Sequence, residues 1–175
     1  MPDEWRIEPL ERKHDRGRFD CGEAALNDYL ARYARQHQES GIARTFVAVG
    51  GGGHSRIHGY YSLTVGGIDK ANLPPRAAKR FPNYPLPMVR LARLAVALGM
   101  QGQRLGEDLL MDALHRCLRV AREVGVVAIL IEAKHEQANG FYSRYEFESL
   151  PDQPLLLWLP RPTVRRLFGE NESSA

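Results

Sequence analysis

The sequence is short of cysteine, of long apolar runs and, across its middle, of negative charge. Only Cys21 and Cys117 occur in 175 residues, each among apolar neighbours in a helix-like segment. They are expected as reduced core thiols rather than as a disulfide or a zinc site. No apolar run approaches the ~18 residues that a membrane-spanning helix needs. The N-terminal stretch Met1–Asp15 lacks the apolar core of a secretory signal. A cytoplasmic protein with no membrane association is expected. No repeat is visible, no low-complexity tract exceeds Gly50–Gly53, and no cluster of metal-ligating residues appears, so no metal is expected. With 43% apolar and 26% charged residues, the chain is long enough for one core without staples. Collagen, coiled-coil and disordered classes are excluded. The expected organisation is a single domain over residues 1–168 and a flexible tail over 169–175.

Acids are missing where bases gather. Between Ser40 and Gly106 the sole acid is Asp69, against Arg44, Arg56, Lys70, Arg76, Lys79, Arg80, Arg90, Arg93 and Arg104. A GC-rich coding bias explains the excess of arginine over lysine, but not the lack of acids. Guanidinium forks meet phosphate at two points, so this stretch reads as a basic face for a polyanion.

Periodicity supplies the elements. Trp5–Leu10 reads as a first strand. Asp20 is the expected N-cap, with Glu23 as reciprocal partner and Phe19 stapled onto Ala24. A helix over 21–39 follows, with Ala25, Leu26, Tyr29, Leu30, Tyr33 and Ala34 on its apolar stripe and Gly41 as its stop. Thr45–Val49 and Arg56–Val65 form a hairpin through the glycine run and His54. In the second strand Ile57, Gly59, Tyr61, Leu63 and Val65 share one face. His58, Tyr60, Ser62 and Thr64 make a half-polar face bordering solvent or a cleft. Residues 74–87, with five prolines, predict an irregular loop or a broken short helix. Met88–Val96 is a strand. Glu107–Val124 is a helix with Leu109, Leu110, Ala113, Leu114, Cys117, Leu118 and Ala121 inward, ended by Gly125. Val126–Ile131 reads as a buried strand, Glu136–Tyr145 as a short helix, Leu155–Leu159 as a strand and 161–168 as a terminal helix. The order β–α–β–β–β–α–β–α–β joins a hairpin to a crossover, hence a mixed α/β sheet.

The strand at 88–96 runs through Ala97 into Gln101-Gly102-Gln103-Arg104-Leu105-Gly106 and at once into the long helix. A helix start offers unpaired N–H groups and the positive end of its dipole, and glycine lets a phosphate come close. The junction is a candidate pyrophosphate cradle, although glycine turns also open helices that bind nothing. It is no P-loop, because no Gly-Lys-Ser/Thr follows, and its glycine spacing is not that of a dinucleotide fingerprint.

With this junction the sequence resembles the GNAT superfamily of acetyl-coenzyme A-dependent N-acetyltransferases. Gln101, Leu105 and Gly106 match its Gln/Arg-x-x-Gly-x-Gly/Ala signature, with Arg104 at the first glycine. The resemblance implies a mixed, mostly antiparallel central sheet flanked by helices, with acetyl-CoA as donor. It implies that Leu94, Ala95 and Val96 pair with the pantetheine arm, and that Gln101, Gly102, Gln103, Arg104, Leu105 and Gly106 surround the pyrophosphate. Ala138-Asn139-Gly140-Phe141-Tyr142 and Tyr145-Glu146-Phe147 resemble the late helix, with Asn139 on the cofactor and Tyr142 as general acid. Phe19-Asp20-Cys21-Gly22, Leu26–Leu30, Gly59–Leu63, Pro85–Val96, Ala133–Glu136 and Asp152–Leu155, taken in order, resemble the toxins of toxin–antitoxin pairs that acetylate aminoacyl-tRNA. Ala97 and His135 stand where that branch usually has acids. The narrower likeness implies an α-amine acceptor on aminoacyl-tRNA, a block of translation, a ribbon-helix-helix antitoxin and a homodimer.

Acetyl transfer needs a neutral amine and a proton for the departing sulfur. Tyrosine, with a pKa of about 10, is protonated at pH 7 and can donate. From the residues alone, Tyr142 reads first as a core tyrosine on a short amphipathic helix, with Tyr145 as its rival for the acid; the resemblance turns the reading to catalysis by Tyr142. No base stands out among His58, Glu132, His135 and Glu136. An α-amine, with a pKa of about 8, needs less help than a lysine at about 10.4, which favours the α-amine. The candidate contacts to tRNA phosphates are Arg76, Lys79, Arg80, Arg90 and Arg93, the last two facing opposite sides of their strand. Two alternatives stay open: a GNAT enzyme for a small amine or protein N-terminus, and a GNAT-fold module that binds without catalysis.

Overall fold

The structure, a computed structural model, describes residues 5–50 and 55–169. The strands are β1 (Trp5–Pro9), β2 (Arg44–Gly50), β3 (Gly59–Ile68), β4 (Leu86–Val96), β5 (Ala128–Glu132), β6 (Glu148–Leu150) and β7 (Gln153–Pro160). Their order in the sheet is β1-β2-β3-β4-β5-β7-β6. β4 and β5 are parallel, while β1–β2, β2–β3, β5–β7 and β6–β7 are antiparallel. The helices are α1 (Ala24–Asp28) and α2 (Ala34–Glu39), joined by a π-helical turn at Tyr29–Tyr33, then α3 (Pro75–Ala78), α4 (Leu105–Glu123), α5 (Glu136–Ser143) and α6 (Arg161–Leu167). The mixed sheet and its helices meet the expectation. β6 is added, a three-residue strand too short to carry a hydrophobic pattern.

The chain divides into two compact units. The first holds the described residues up to Thr64 together with Ala92–Ala113. Leu10, Phe19, Leu30, Val47, Val49 and Tyr60 lie in its core. The expected capping box at Asp20 does not form. Gly22 turns the chain at φ 91°, and α1 opens only at Ala24, after a Glu23 whose side chain caps nothing. Asp20 Oδ1 instead accepts hydrogen bonds from Gly22 N and Asn27 Nδ2, both at 2.9 Å, which lower its pKa. Phe19 packs edge-on against Tyr60, with centroids 5.3 Å apart, rather than stapling Ala24.

The second strand of the hairpin begins at Gly59, not Arg56. Of its half-polar face, Tyr60 and Ser62 are buried, while His58 and Thr64 are half-buried. The buried Thr45 and Ser62 hydroxyls share a 2.7 Å hydrogen bond, and Tyr60 OH donates to Leu26 O at 2.6 Å. Polar groups matched internally can be buried, so alternation alone misjudges this strand. Val65, on the face it shares with the buried Tyr61, is 74% exposed. The turn residues Gly51–His54 and the tail from Glu170 lie outside the described residues.

The second unit holds Val65–Leu91 and the described residues from Leu114. Ile68, Leu86, Met88, Ala128, Leu130 and Trp158 form its core. Of the irregular loop or broken short helix expected of the proline-rich stretch, a four-residue helix forms, with Pro75 in the first turn of α3. Along α4, Leu109, Leu110, Ala113, Leu114, Cys117 and Leu118 are buried. The helix ends at Glu123, and Gly125 does not take the left-handed conformation expected of a glycine cap. Gly41, at φ 80° after α2, does.

Candidate functional site

In the first unit the site begins at the end of β4. That strand has eleven residues and β5 has five; their register pairs Met88–Leu91 with Ala128–Ile131, and β5 ends at Glu132. Leu94, Ala95 and Val96 therefore lie beyond the shared register, where strand backbone can pair with an extended ligand. Ala97 N then donates to His58 O at 2.8 Å, and Leu98 N to Asp20 O at 2.9 Å. Gln101 Nε2 donates to Val96 O (3.1 Å) and to Cys21 O (3.2 Å), tying the loop to the strand it left and to the turn before α1. Gln103 Nε2 reaches back to Gly99 O at 3.3 Å.

Two residues of this loop have left-handed backbone, Gly102 at φ 80° and Arg104 at φ 68°. Position 104, where the GNAT signature has its first glycine, thus keeps the conformation of glycine while carrying arginine. Left-handed backbone costs an L-residue roughly 1–2 kcal/mol. The exposed Arg104 side chain adds a cation at the rim. Leu105 and Gly106 open α4, where the first N–H groups of a helix lack partners within the helix.

Gly59 seats this helix start. A Cβ there would lie 2.8 Å from Leu109 Cδ1, 3.1 Å from Ala95 O and 3.2 Å from Leu105 Cδ2. The bare glycine lets the first turns of α4 press onto β3. Sequence reasoning placed Gly59 on a strand face without seeing this, because its neighbours Ala95, Leu105 and Leu109 are 36 to 50 residues away in the chain.

In the second unit, Tyr142 near the end of α5 is buried, with Phe141 and Phe147 rings 5.1 and 5.8 Å from its own. Burial pushes its pKa up to about 12. Tyr145 is half-buried, its ring 5.7 Å from that of Phe141. Asn139 Nδ2 donates to Pro154 O at 2.9 Å, while Asn139 Oδ1 is buried without a hydrogen-bond partner among the described residues. A buried acceptor left alone is costly, so the atom fits a ligand N–H. Of the candidate bases, Glu132 is held by Arg90 at 2.5 Å, and His135 and Glu136 are exposed at the start of α5. Among the described residues no group of three metal-ligating side chains comes together.

The predicted phosphate contacts divide. Arg76 pairs with Glu148 at 2.6 Å and Arg90 with Glu132. Arg93 lies flat on an aromatic ring, its Cζ 3.5 Å from the Tyr29 centroid, so Arg90 and Arg93 do meet different partners. Lys79 and Arg80 are exposed and have no ion pair among the described residues. Arg76, Arg80, Phe81, Trp158 and Arg166 help line a cavity of about 370 Å³ in the second unit. No local pattern marks Arg166 or Glu148 as neighbours of Arg76; folding alone assembles them.

No family model matches the chain. It is 39% identical over 152 residues to a tRNA-acetylating toxin of Mycobacterium tuberculosis, covering 87% of this chain and 89% of that protein. A tyrosine-to-phenylalanine mutant of KacT has a TM-score of 0.89 at 31% identity, over 94% of this chain and 99% of the other. AtaT complexed with acetyl-methionyl-tRNAfMet has a TM-score of 0.87 at 30% identity, over 94% and 99%. A mutant AtaT bound to acetyl-CoA and to the C-terminus of the antitoxin AtaR has a TM-score of 0.81 at 27% identity, over 96% and 100%. By sequence and by fold, the chain belongs to the tRNA-acetylating toxins, acetyltransferases of the GNAT superfamily.

Proposed function

We propose that this protein transfers the acetyl group of acetyl-CoA to the α-amine of aminoacyl-tRNA, which blocks translation, and that a ribbon-helix-helix antitoxin neutralises it. One observation carries this: β4 outruns β5 and feeds, through a clamped left-handed turn, straight into the start of α4. That is a slot for a pantetheine and pyrophosphate chain, in a family whose members acetylate tRNA. The whole activity resides in one GNAT domain over residues 1–168, acting in the cytoplasm as a homodimer.

Acetyl-CoA supplies the acetyl group as a thioester. Backbone groups of Leu94, Ala95 and Val96 pair with the pantetheine amides, and Asn139 Oδ1 accepts a ligand N–H. The N–H groups at Gly102, Gln103, Arg104, Leu105 and Gly106 hold the pyrophosphate, with the Arg104 cation beside it. Gln101 acts by shape, since its amide is committed to two backbone carbonyls. The neutral α-amine attacks the thioester carbonyl; the C–N bond forms, the C–S bond breaks, and Tyr142 gives its phenolic proton to the sulfur. The proton lost by the amine restores Tyr142. Burial favours the protonated phenol, as a general acid requires. Among the cations, Lys79, Arg80 and Arg93 carry most of the phosphate contact. Arg76 and Arg90 contribute less while their glutamates hold them.

The test is labelled acetyl transfer to charged tRNA, to uncharged tRNA, and to a free polyamine and a peptide. Label on charged tRNA only is expected. Efficient labelling of the polyamine or peptide, with none on charged tRNA, overturns the proposal in favour of a small-amine or protein acetyltransferase.

A further inference from the structure

We propose that the exposed ring of Tyr33 is the stacking platform for an unpaired base at the 3′ end of the charged RNA, with Arg93 as the cation that meets the adjoining phosphate. This rests on the aminoacyl-tRNA acceptor proposed above. Helical periodicity puts Tyr33 on the buried stripe, but it is 47% exposed while Tyr29, four residues earlier, is 4% exposed. The cause lies in the backbone: residues 29–33 form a π-helical turn, closed by a hydrogen bond from Ala34 N to Tyr29 O, and the wider turn carries Tyr33 off the stripe.

The ring is nevertheless held in place. It stacks on Tyr29 at 6.5 Å with 28° between planes, and His37 lies 6.0 Å away on the next turn. His37 Nδ1 is itself 3.2 Å from Tyr29 OH. Arg93 shares Tyr29 with Tyr33, resting 3.5 Å above the ring, and has no ion pair among the described residues. A guanidinium held on an aromatic face keeps its full charge. The acids nearest in sequence are already occupied, Asp28 by Arg32 and Glu39 by Arg35. A fixed, half-exposed aromatic ring stacked on the same tyrosine that holds an unneutralised arginine is the chemistry that takes unstacked bases of single-stranded RNA.

The experiment uses Tyr33→Ala, Tyr33→Phe and wild type, with charged tRNA as substrate and tRNA carrying 2-aminopurine at its terminal position as probe. Removing the ring should raise KM for charged tRNA about tenfold, given the usual worth of one base–aromatic stack. Affinity for acetyl-CoA and the melting temperature should stay at wild-type values. Tyr33→Phe keeps the ring and should keep the wild-type KM. The probe's fluorescence should be quenched by wild type and Tyr33→Phe but not by Tyr33→Ala. A wild type that acetylates charged tRNA, with unchanged KM and quenching in Tyr33→Ala, overturns the platform alone. A wild type that acetylates no charged tRNA overturns the acceptor assignment and the platform with it.

Discussion

Two side chains carry most of the consequence at the scale of single residues. Arg104 occupies a left-handed position in the loop that opens α4. Arg104→Gly should therefore fold at least as stably and keep acetyl-CoA affinity within a few-fold. Arg104→Val, β-branched and ill suited to positive φ, should lower both. Thermal melts and calorimetry on the pair check this; a valine variant equal to glycine would remove any role for the turn. Tyr142→Phe should fold normally and lose about 10²–10⁴-fold in rate, the usual worth of a general acid. Because burial holds Tyr142 protonated up to about 12, the wild-type rate should rise as the acceptor amine deprotonates, with no falling limb below about pH 11. A descending limb near pH 9 would move the acid role elsewhere. At this scale the proposal of Tyr142 as the acid came from likeness alone. The phenyl neighbours that bury it come from Phe147 as well as from its own helix, and spacing could not show that.

Among elements, the packing of α4 on β3 is decisive. Gly59→Ala removes a poor strand former, yet its Cβ meets a fully buried Leu109 at 2.8 Å and the Ala95 carbonyl at 3.1 Å. Overpacking of this kind costs roughly 1–3 kcal/mol, so the melting temperature should fall and acetyl-CoA binding should weaken as the helix start lifts. Calorimetry on Gly59→Ala and Gly66→Ala separates this from a general glycine effect, since a Cβ at Gly66 meets nothing within 4 Å. α4 itself was legible because its stripe repeats over five turns. The helix before β2 was legible in place but not in detail: a capping box pairs a residue with the one three ahead and does not register that Gly22 has already turned the chain. β3 was misjudged for a different reason, because the Thr45 and Ser62 hydroxyls satisfy each other across two strands.

For the molecule as a whole, the charge pattern was visible in the sequence and its pairing was not. Arg76 finds Glu148 and Arg90 finds Glu132, partners 72 and 42 residues away. Replacing Lys79 alone or Arg80 alone by alanine should therefore flatten the salt dependence of tRNA binding more than Arg76→Ala does. Each phosphate that goes unneutralised in a single-stranded region changes the log–log slope by about 0.7. Filter binding at several salt concentrations decides it; equal effects would mean that Glu148 gives Arg76 up on binding. Alkaline stability follows from burial. Tyr142 has a folded pKa of about 12 against 10.0 for the free group, and Cys117 about 12 against 9.0. The unfolded chain loses these protons first, so their contribution is complete below pH 9 and is lost as pH rises towards 12. Urea midpoints should fall steadily above pH 9, and Tyr142→Phe should blunt the part above pH 10.

The π-helical turn at Tyr29–Tyr33 also governs how the chain tolerates changes in length. It holds one residue more than an α-turn would. Deleting one residue there closes the wide turn into an α turn, in which a bond four residues back replaces the bond five residues back and the residues on either side keep their faces. Gln38, whose side chain donates to Leu10 O at 2.8 Å and accepts from Thr45 N at 3.1 Å, then stays at the ends of β1 and β2. The same loss inside α2 ahead of Gln38 turns that side chain by about 100° and unfastens the helix from the sheet. An in-frame loss of one codon is thus absorbed at the wide turn and costly in the regular helix after it.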